Sequence, residues 1–147
     1  MTFIRPLIVA LAAALAMPVA AQDAVSLRSD VHVVRVVDGE ERRDPPASVV
    51  PGDRLVFTTS FQNESGAAVE NFVVTNPLPA PVVLAQDGQF AVSVDGGASF
   101  GPLGEQRVVD NDEPRAATVA DVTHVRWTVA SIAPGAGGEL SYFATVR

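Results

Sequence analysis

The clearest pattern in the chain is an alternation over Leu55-Val-Phe-Thr-Thr-Ser-Phe-Gln62. Leu55, Phe57, Thr59 and Phe61 fall on one face, and Val56, Thr58, Ser60 and Gln62 on the other. A period of two is that of a half-buried strand. Turn residues bound it at both ends, Val50-Pro-Gly-Asp53 before and Asn63-Glu-Ser-Gly66 after. In the first of these, Pro presets a turn dihedral, Gly admits positive φ, and Asp bonds nearby amides. Val122 to Val129 alternates too, with Val125, Trp127 and Val129 opposite His124, Arg126 and Thr128, and the indole marks the buried face. The last run, Glu139 to Arg147, groups Leu140, Tyr142, Ala144 and Val146 and leaves Phe143 on the opposite side.

Other segments carry weaker patterns. Val69 to Thr75 reads as a strand with Phe72 and Val74 inward, stopped by Asn76-Pro-Leu-Pro79, where prolines remove backbone donors and Leu78 closes the core. Val25 to Val37 reads as a first strand, with Val31, Val33 and Val37 alternating against Arg35 while Val34 and Val36 blur the register. Asp38 to Pro46 is expected to be a polar loop, its Glu40-Glu-Arg-Arg43 a solvated run with local charge pairing. Phe90 to Val94 and Ser99 to Leu103 flank a hairpin-like turn at Asp95-Gly-Gly97. Arg107 to Ala120 is weakly periodic and acidic, and is expected to be a long surface loop with at most one short edge strand. No segment after residue 21 has the period of an amphipathic helix. The pattern predicts an all-β fold, an immunoglobulin-like antiparallel β-sandwich of about seven strands. No fixed-period repeat is visible, so residues 22–147 are expected to form one domain.

The N-terminus has a different character. Arg5, the apolar run Leu7 to Ala16, and the small residues around Val19 and Ala21 follow the order of a secretory signal cleaved before Gln22. The apolar run is shorter than the roughly 17 residues needed to span a bilayer. The expectation is a signal peptide over residues 1–21 and a mature protein that is periplasmic or extracellular, without membrane insertion. Both Met residues lie in that leader, and the chain has neither Cys nor Lys. Disulfides, thiolate metal sites, cysteine nucleophiles and lysine Schiff bases are thereby excluded. The net charge is −7, and losing Arg5 with the leader makes it −8, which argues against nucleic acid or anionic lipid as partner.

Three phrases taken together carry a resemblance. Val50-Pro-Gly-Asp53 leads into Leu55 to Asn63; Val69-Glu-Asn-Phe-Val-Val-Thr-Asn-Pro-Leu-Pro79 follows; Ile132-Ala-Pro-Gly135 precedes Leu140-Ser-Tyr142. The chain from Val25 to Arg147 resembles the domain-of-unknown-function family numbered eleven, a repeat domain of bacterial and archaeal cell-surface proteins. It departs in having Asn76 where that family usually has Asp, and one copy where tandem copies are common. The resemblance implies an immunoglobulin-like surface module without assigned catalysis, and transfers no site residue.

Candidate chemistry is sparse. His32 and His124 are the only bases of suitable pKa, both lie in predicted strands, and neither a Gly-x-Ser-x-Gly elbow nor a His-Glu-x-x-His motif is present. Neither catalysis nor a cofactor is expected. Asp110, Asp112 and Glu113, with Asp121 nearby, are weak calcium candidates that a solvated acidic loop explains as well. Phe143 and Phe100 are the aromatics left for a sugar platform, and ordinary packing accounts for them too. Asn63-Glu64-Ser65 matches a glycosylation acceptor but reads as turn chemistry. The leading expectation is an exported non-enzymatic structural or interaction module whose partner is an envelope or surface protein. The alternative is a ligand module for calcium or glycan.

Overall fold

The computed structural model describes residues 24–86 and 88–147, and the leader expected at residues 1–21 lies outside them. The strands are β1 Val25–Val37, β2 Glu40–Asp44, β3 Arg54–Asn63, β4 Val69–Pro77, β5 Val82–Leu84, β6 Ala91–Ser93, β7 Arg107–Asp110, β8 Glu113–Ala116, β9 His124–Ile132 and β10 Gly137–Val146. They form antiparallel sheets in the orders β2-β1-β3-β10-β5, β4-β9-β6 and β7-β8. The fold is all-β, and among the described residues the only helical segments are the short 3₁₀ turns Leu103–Glu105 and Val119–Asp121.

One core lies between the two larger sheets. Val33, Leu55, Tyr142 and Ala144 of the first meet Phe72, Val74, Val125 and Trp127 of the second. Trp127 and Tyr142 approach across the interface at 6.2 Å between ring centroids, and Phe57 stacks on Tyr142 at 4.9 Å. The alternations read over Leu55 to Phe61 and Val125 to Val129 therefore do converge on one interior. Such an arrangement is consistent with a β-sandwich.

Three differences from the expected layout have identifiable causes. Ten strands form where about seven were expected: the two charged or weakly periodic segments are hairpins, Val82–Leu84 adds a short strand, and Ser99 to Leu103, expected across the turn from Phe90 to Val94, gives only a bridge from Gly101 to Val92. Asp38 and Gly39 both adopt positive φ (54° and 86°), the two-residue turn that lays β2 back on β1, so Asp38 to Pro46 is not simply a loop. Asn111 and Asp112 (φ 52° and 65°) do the same for β7 and β8. Val37, at the tip of the first hairpin, is exposed and not a core residue.

The third difference is strand order. In an immunoglobulin sandwich the last two strands share a sheet. Here β9 and β10 lie in opposite sheets, and β10 is inserted between β3 and β5. The turn at Ala133 to Ala136 carries the chain across the end of the core, held by Gly135 N–H to Asn63 O (3.0 Å) and Asn63 N–H to Ala136 O (2.8 Å). The ribbon β3–β4 thus winds against the ribbon β10–β9, the winding of a jelly roll. In β4 the left-handed Asn71 (φ 51°) interrupts pairing opposite Ala130, and the inward phase shifts there, so that Val69 and Phe72 are both buried.

Candidate functional site

Strand lengths create the most distinctive surface feature. β10 has ten residues and β9 nine, yet their neighbours β5 and β6 have three each. β5 pairs with Ala144 to Val146 and β6 with His124 to Arg126. Beyond these, β10 from Gly137 to Tyr142 and β9 from Trp127 to Ile132 have a strand neighbour on one side only among the described residues.

The orientation of the backbone along this flank follows from the printed bonds. Val146 accepts from Gly52 N–H and donates to Asp53 O, each at 2.9 Å, and Phe143 O accepts from Ala85 N–H at 2.9 Å. Even-numbered residues of β10 thus turn toward β3, and Glu139 and Ser141 turn their N–H and C=O away from it, Ser141 to the side where Gln86, Gly88 and Gln89 lie. Val92 exchanges both bonds with Gly101, so its neighbours in β6 face β9 and Thr128 of β9 faces outward beyond them.

The edges of the molecule differ in composition. β2, at the far end of the first sheet, reads Glu-Glu-Arg-Arg-Asp, with Arg42 on Asp44 at 2.7 Å and Arg43 on Glu41 at 3.4 Å. Charged edge strands resist pairing with another chain. β4 is interrupted by Asn71 and ends in Pro77. The β9–β10 flank carries Glu139 as its single charge between Trp127 and Ile132 and between Gly137 and Phe143.

Hollows adjoin this flank. The crossing from β5 to β6 brings Phe90 edge-on to Trp127, with centroids 5.5 Å apart. On one side is an open hollow of about 470 Å³ bordered by Gln89, Phe90, Pro102, Arg126 and Thr128. On the other, about 160 Å³ lies among Gln86, Phe90, Trp127, Ser141 and Phe143. Tyr142 borders this smaller hollow, and burial pushes its phenol up to about 12.

The residues singled out in the sequence do not assemble into a catalytic or metal constellation. Asp110, Asp112 and Glu113 sit at the β7–β8 tip, but Arg115 takes Asp110 Oδ2 at 3.3 Å and both oxygens of Asp121 at 2.8 Å. That guanidinium, followed by the Thr118 amide, holds the Asp121 carboxyl well below the usual range. No three His, Asp or Glu side chains among the described residues are placed to share a metal ion. His32 Nε2 is 4.0 Å from Asp30 Oδ2 on the outer face of the first sheet. Ser60 of the same face is paired opposite Arg28, four positions from His32 along β1 or about 13 Å, too far for a nucleophile–base pair. His124 Nδ1 lies 3.0 Å from Thr123 Oγ1, which itself donates to Ser93 O at 3.1 Å.

The stray aromatics are also engaged. Arg54 covers the Phe143 ring at 4.2 Å and Arg126 the Phe100 ring at 3.5 Å. Asn63 is fully buried, its amide donating to Ala67 O and Ile132 O at 2.8 and 2.9 Å, so the glycosylation motif is turn chemistry as its residues suggested. Residue motifs did not reveal the open flank, because it is made of backbone where β5 and β6 stop.

Comparison with protein families, curated proteins and solved structures finds no match to this chain.

Proposed function

We propose that this protein is an exported, non-enzymatic module of the cell envelope or secreted fraction that binds a protein partner along its open β9–β10 flank. The reading includes the resemblance to family eleven as a surface module, on a two-sheet sandwich whose strand order departs from that of an immunoglobulin domain. Its main support is the contrast between edges: β2 is charged throughout, while the β9–β10 flank carries one charge and, among the described residues, has a strand neighbour on one side only, beside aromatic hollows. The leader over residues 1–21 supports export. The calcium and glycan alternative draws less support, since Arg115 occupies Asp110 and Asp121 and guanidinium groups cover Phe100 and Phe143.

The test is affinity capture from solubilised envelope using the mature chain and an Ala130→Arg/Ser141→Arg variant, which gives the flank charges like those of β2. One specific protein retained by the first and lost by the second is the expected result. Recovery of no specific protein by either would refute the reading.

A further inference from the structure

We propose that the larger hollow beside Trp127 binds a carboxylate carried on an apolar body, with Arg126 as the group that recognises the anion. The inference goes beyond the partner proposed above and does not depend on it. Arg126 differs from the other arginines in what it touches. Arg35, Arg42, Arg43 and Arg115 each pair with a carboxylate. Arg126 is half-buried, its Nε donates to Thr75 Oγ1 at 3.0 Å, and its guanidinium lies 3.5 Å from the centre of the Phe100 ring. Among the described residues no carboxylate forms an ion pair with it.

Strand pairing accounts for that setting. Arg126 is on the middle strand β9, opposite Thr75 of β4 on one side and Ala91 of β6 on the other. Ala91 is too small to cover the guanidinium, and Phe100, next to the bridge from Gly101 to Val92, lies against it instead. Asp95, in the same loop as Phe100, is committed to that loop: it accepts from Ser93 Oγ and from Ser99 Oγ, each at 2.6 Å. A guanidinium held at two points loses little freedom on binding, and its planar fork matches a carboxylate through two parallel bonds.

The adjoining hollow specifies the rest of the ligand. Its volume is about 470 Å³, inside the range of roughly 300 to 1,000 Å³ usual for small-ligand sites. Phe90, Ala91, Pro102 and Trp127 give it apolar walls, and Gln89 and Thr128 stand at its margin. A neutral apolar guest leaves Arg126 without an anion, and a bare inorganic anion leaves the walls uncovered. The combination selects an acid with a hydrocarbon or aromatic body, supplied by a small molecule or by the C-terminal residue of a polypeptide.

Trp127 is the only tryptophan in the chain and borders the hollow, so its fluorescence reports binding there. N-acetylphenylalanine titrated into the mature chain should change that fluorescence saturably, and the uncharged N-acetylphenylalaninamide should bind more weakly by about tenfold or more. Arg126→Gln should erase the difference between acid and amide, and Arg126→Lys should restore part of it. Thr128→Glu places a carboxylate at an exposed position on the same face, two residues along β9, where it engages Arg126 and should abolish binding of the acid. Should Arg126→Gln fail to fold by circular dichroism, Thr128→Glu and the acid–amide pair on the unaltered protein decide the question.

Acetyl-Gly-Ala-Phe with a free C-terminus binding about tenfold more tightly than N-acetylphenylalanine would assign the acid to a chain end, and equal affinity would assign it to a small molecule. Equal binding of acid and amide by the parent, no saturable response to either up to about 10 mM, or an acid preference that survives Arg126→Gln would overturn the proposal. Acid binding that persists in the Ala130→Arg/Ser141→Arg variant while the envelope partner is lost would support this site as separate from the partner's.

Discussion

At the scale of single residues, Asn63 joins three parts of the chain with one side chain. Its Nδ2 reaches Ala67, Ile132 and Ala133 carbonyls, and its Oδ1 accepts the Ser65 N–H at 3.0 Å and the Ser65 hydroxyl at 2.7 Å. Truncation leaves buried backbone groups unpaired. Asn63→Ala should cost about 2 to 4 kcal/mol, measured as a shift in the urea midpoint. Tyr142 gives a second residue-level prediction, because it is the chain's only tyrosine and its phenolate absorbance reports one group. Burial raises its folded-state value to about 12, while an exposed phenol titrates near 10. The folded form keeps the proton longer, so stability is complete below about pH 10 and declines as pH rises from there toward the folded value. The near-ultraviolet titration should have its midpoint near 12 in buffer and return to the exposed value in concentrated urea. A native midpoint equal to that in urea would contradict the burial.

At the scale of elements, the β7–β8 hairpin shows how a segment with little buried surface is held. Every residue of β8 is exposed, and Val109 of β7 is 74 % exposed. Two-stranded hairpins are marginal without outside support. Here the support is Arg115, joined to Asp110 within the hairpin and to Asp121 in the 3₁₀ turn below it. Arg115→Ala should raise hydrogen exchange across Arg107 to Ala116 and leave the global unfolding midpoint almost unchanged. A large drop in that midpoint would show that the hairpin is part of the main cooperative unit.

The same element explains where sequence reading stops. Leu55 to Phe61 and Val125 to Val129 were legible because core residues recur at every second position, although Val56, on the face of the first segment expected to be wet, is itself buried. β2, β7 and β8 have almost no dry face, so their main legible signal was the turn chemistry, Asp38-Gly39 above all. The phase shift at Asn71 is set by one backbone dihedral and leaves no pattern to count. The open flank was less legible still: it depends on β5 and β6 ending after three residues, a fact about chain path and not about residue type.

For the whole molecule, without disulfides, cohesion rests on the contact between the two large sheets. Trp127 is its centre, touching Phe90 on one side and Tyr142 on the other. Trp127→Ala should cost about 3 to 5 kcal/mol, since the Phe90 and Tyr142 rings, held by separate segments, cannot collapse together into the space. Coincident loss of far-ultraviolet and near-ultraviolet dichroism on heating would show that both sheets fail together, and separate transitions would refute the single shared core.

The unequal flanks also limit how copies of this protein associate. Endless head-to-tail growth would require β2 of one copy to lie along β10 of the next, bringing Glu40 to Asp44 onto a largely neutral edge. That mismatch disfavours the growth of fibres through this pair of edges.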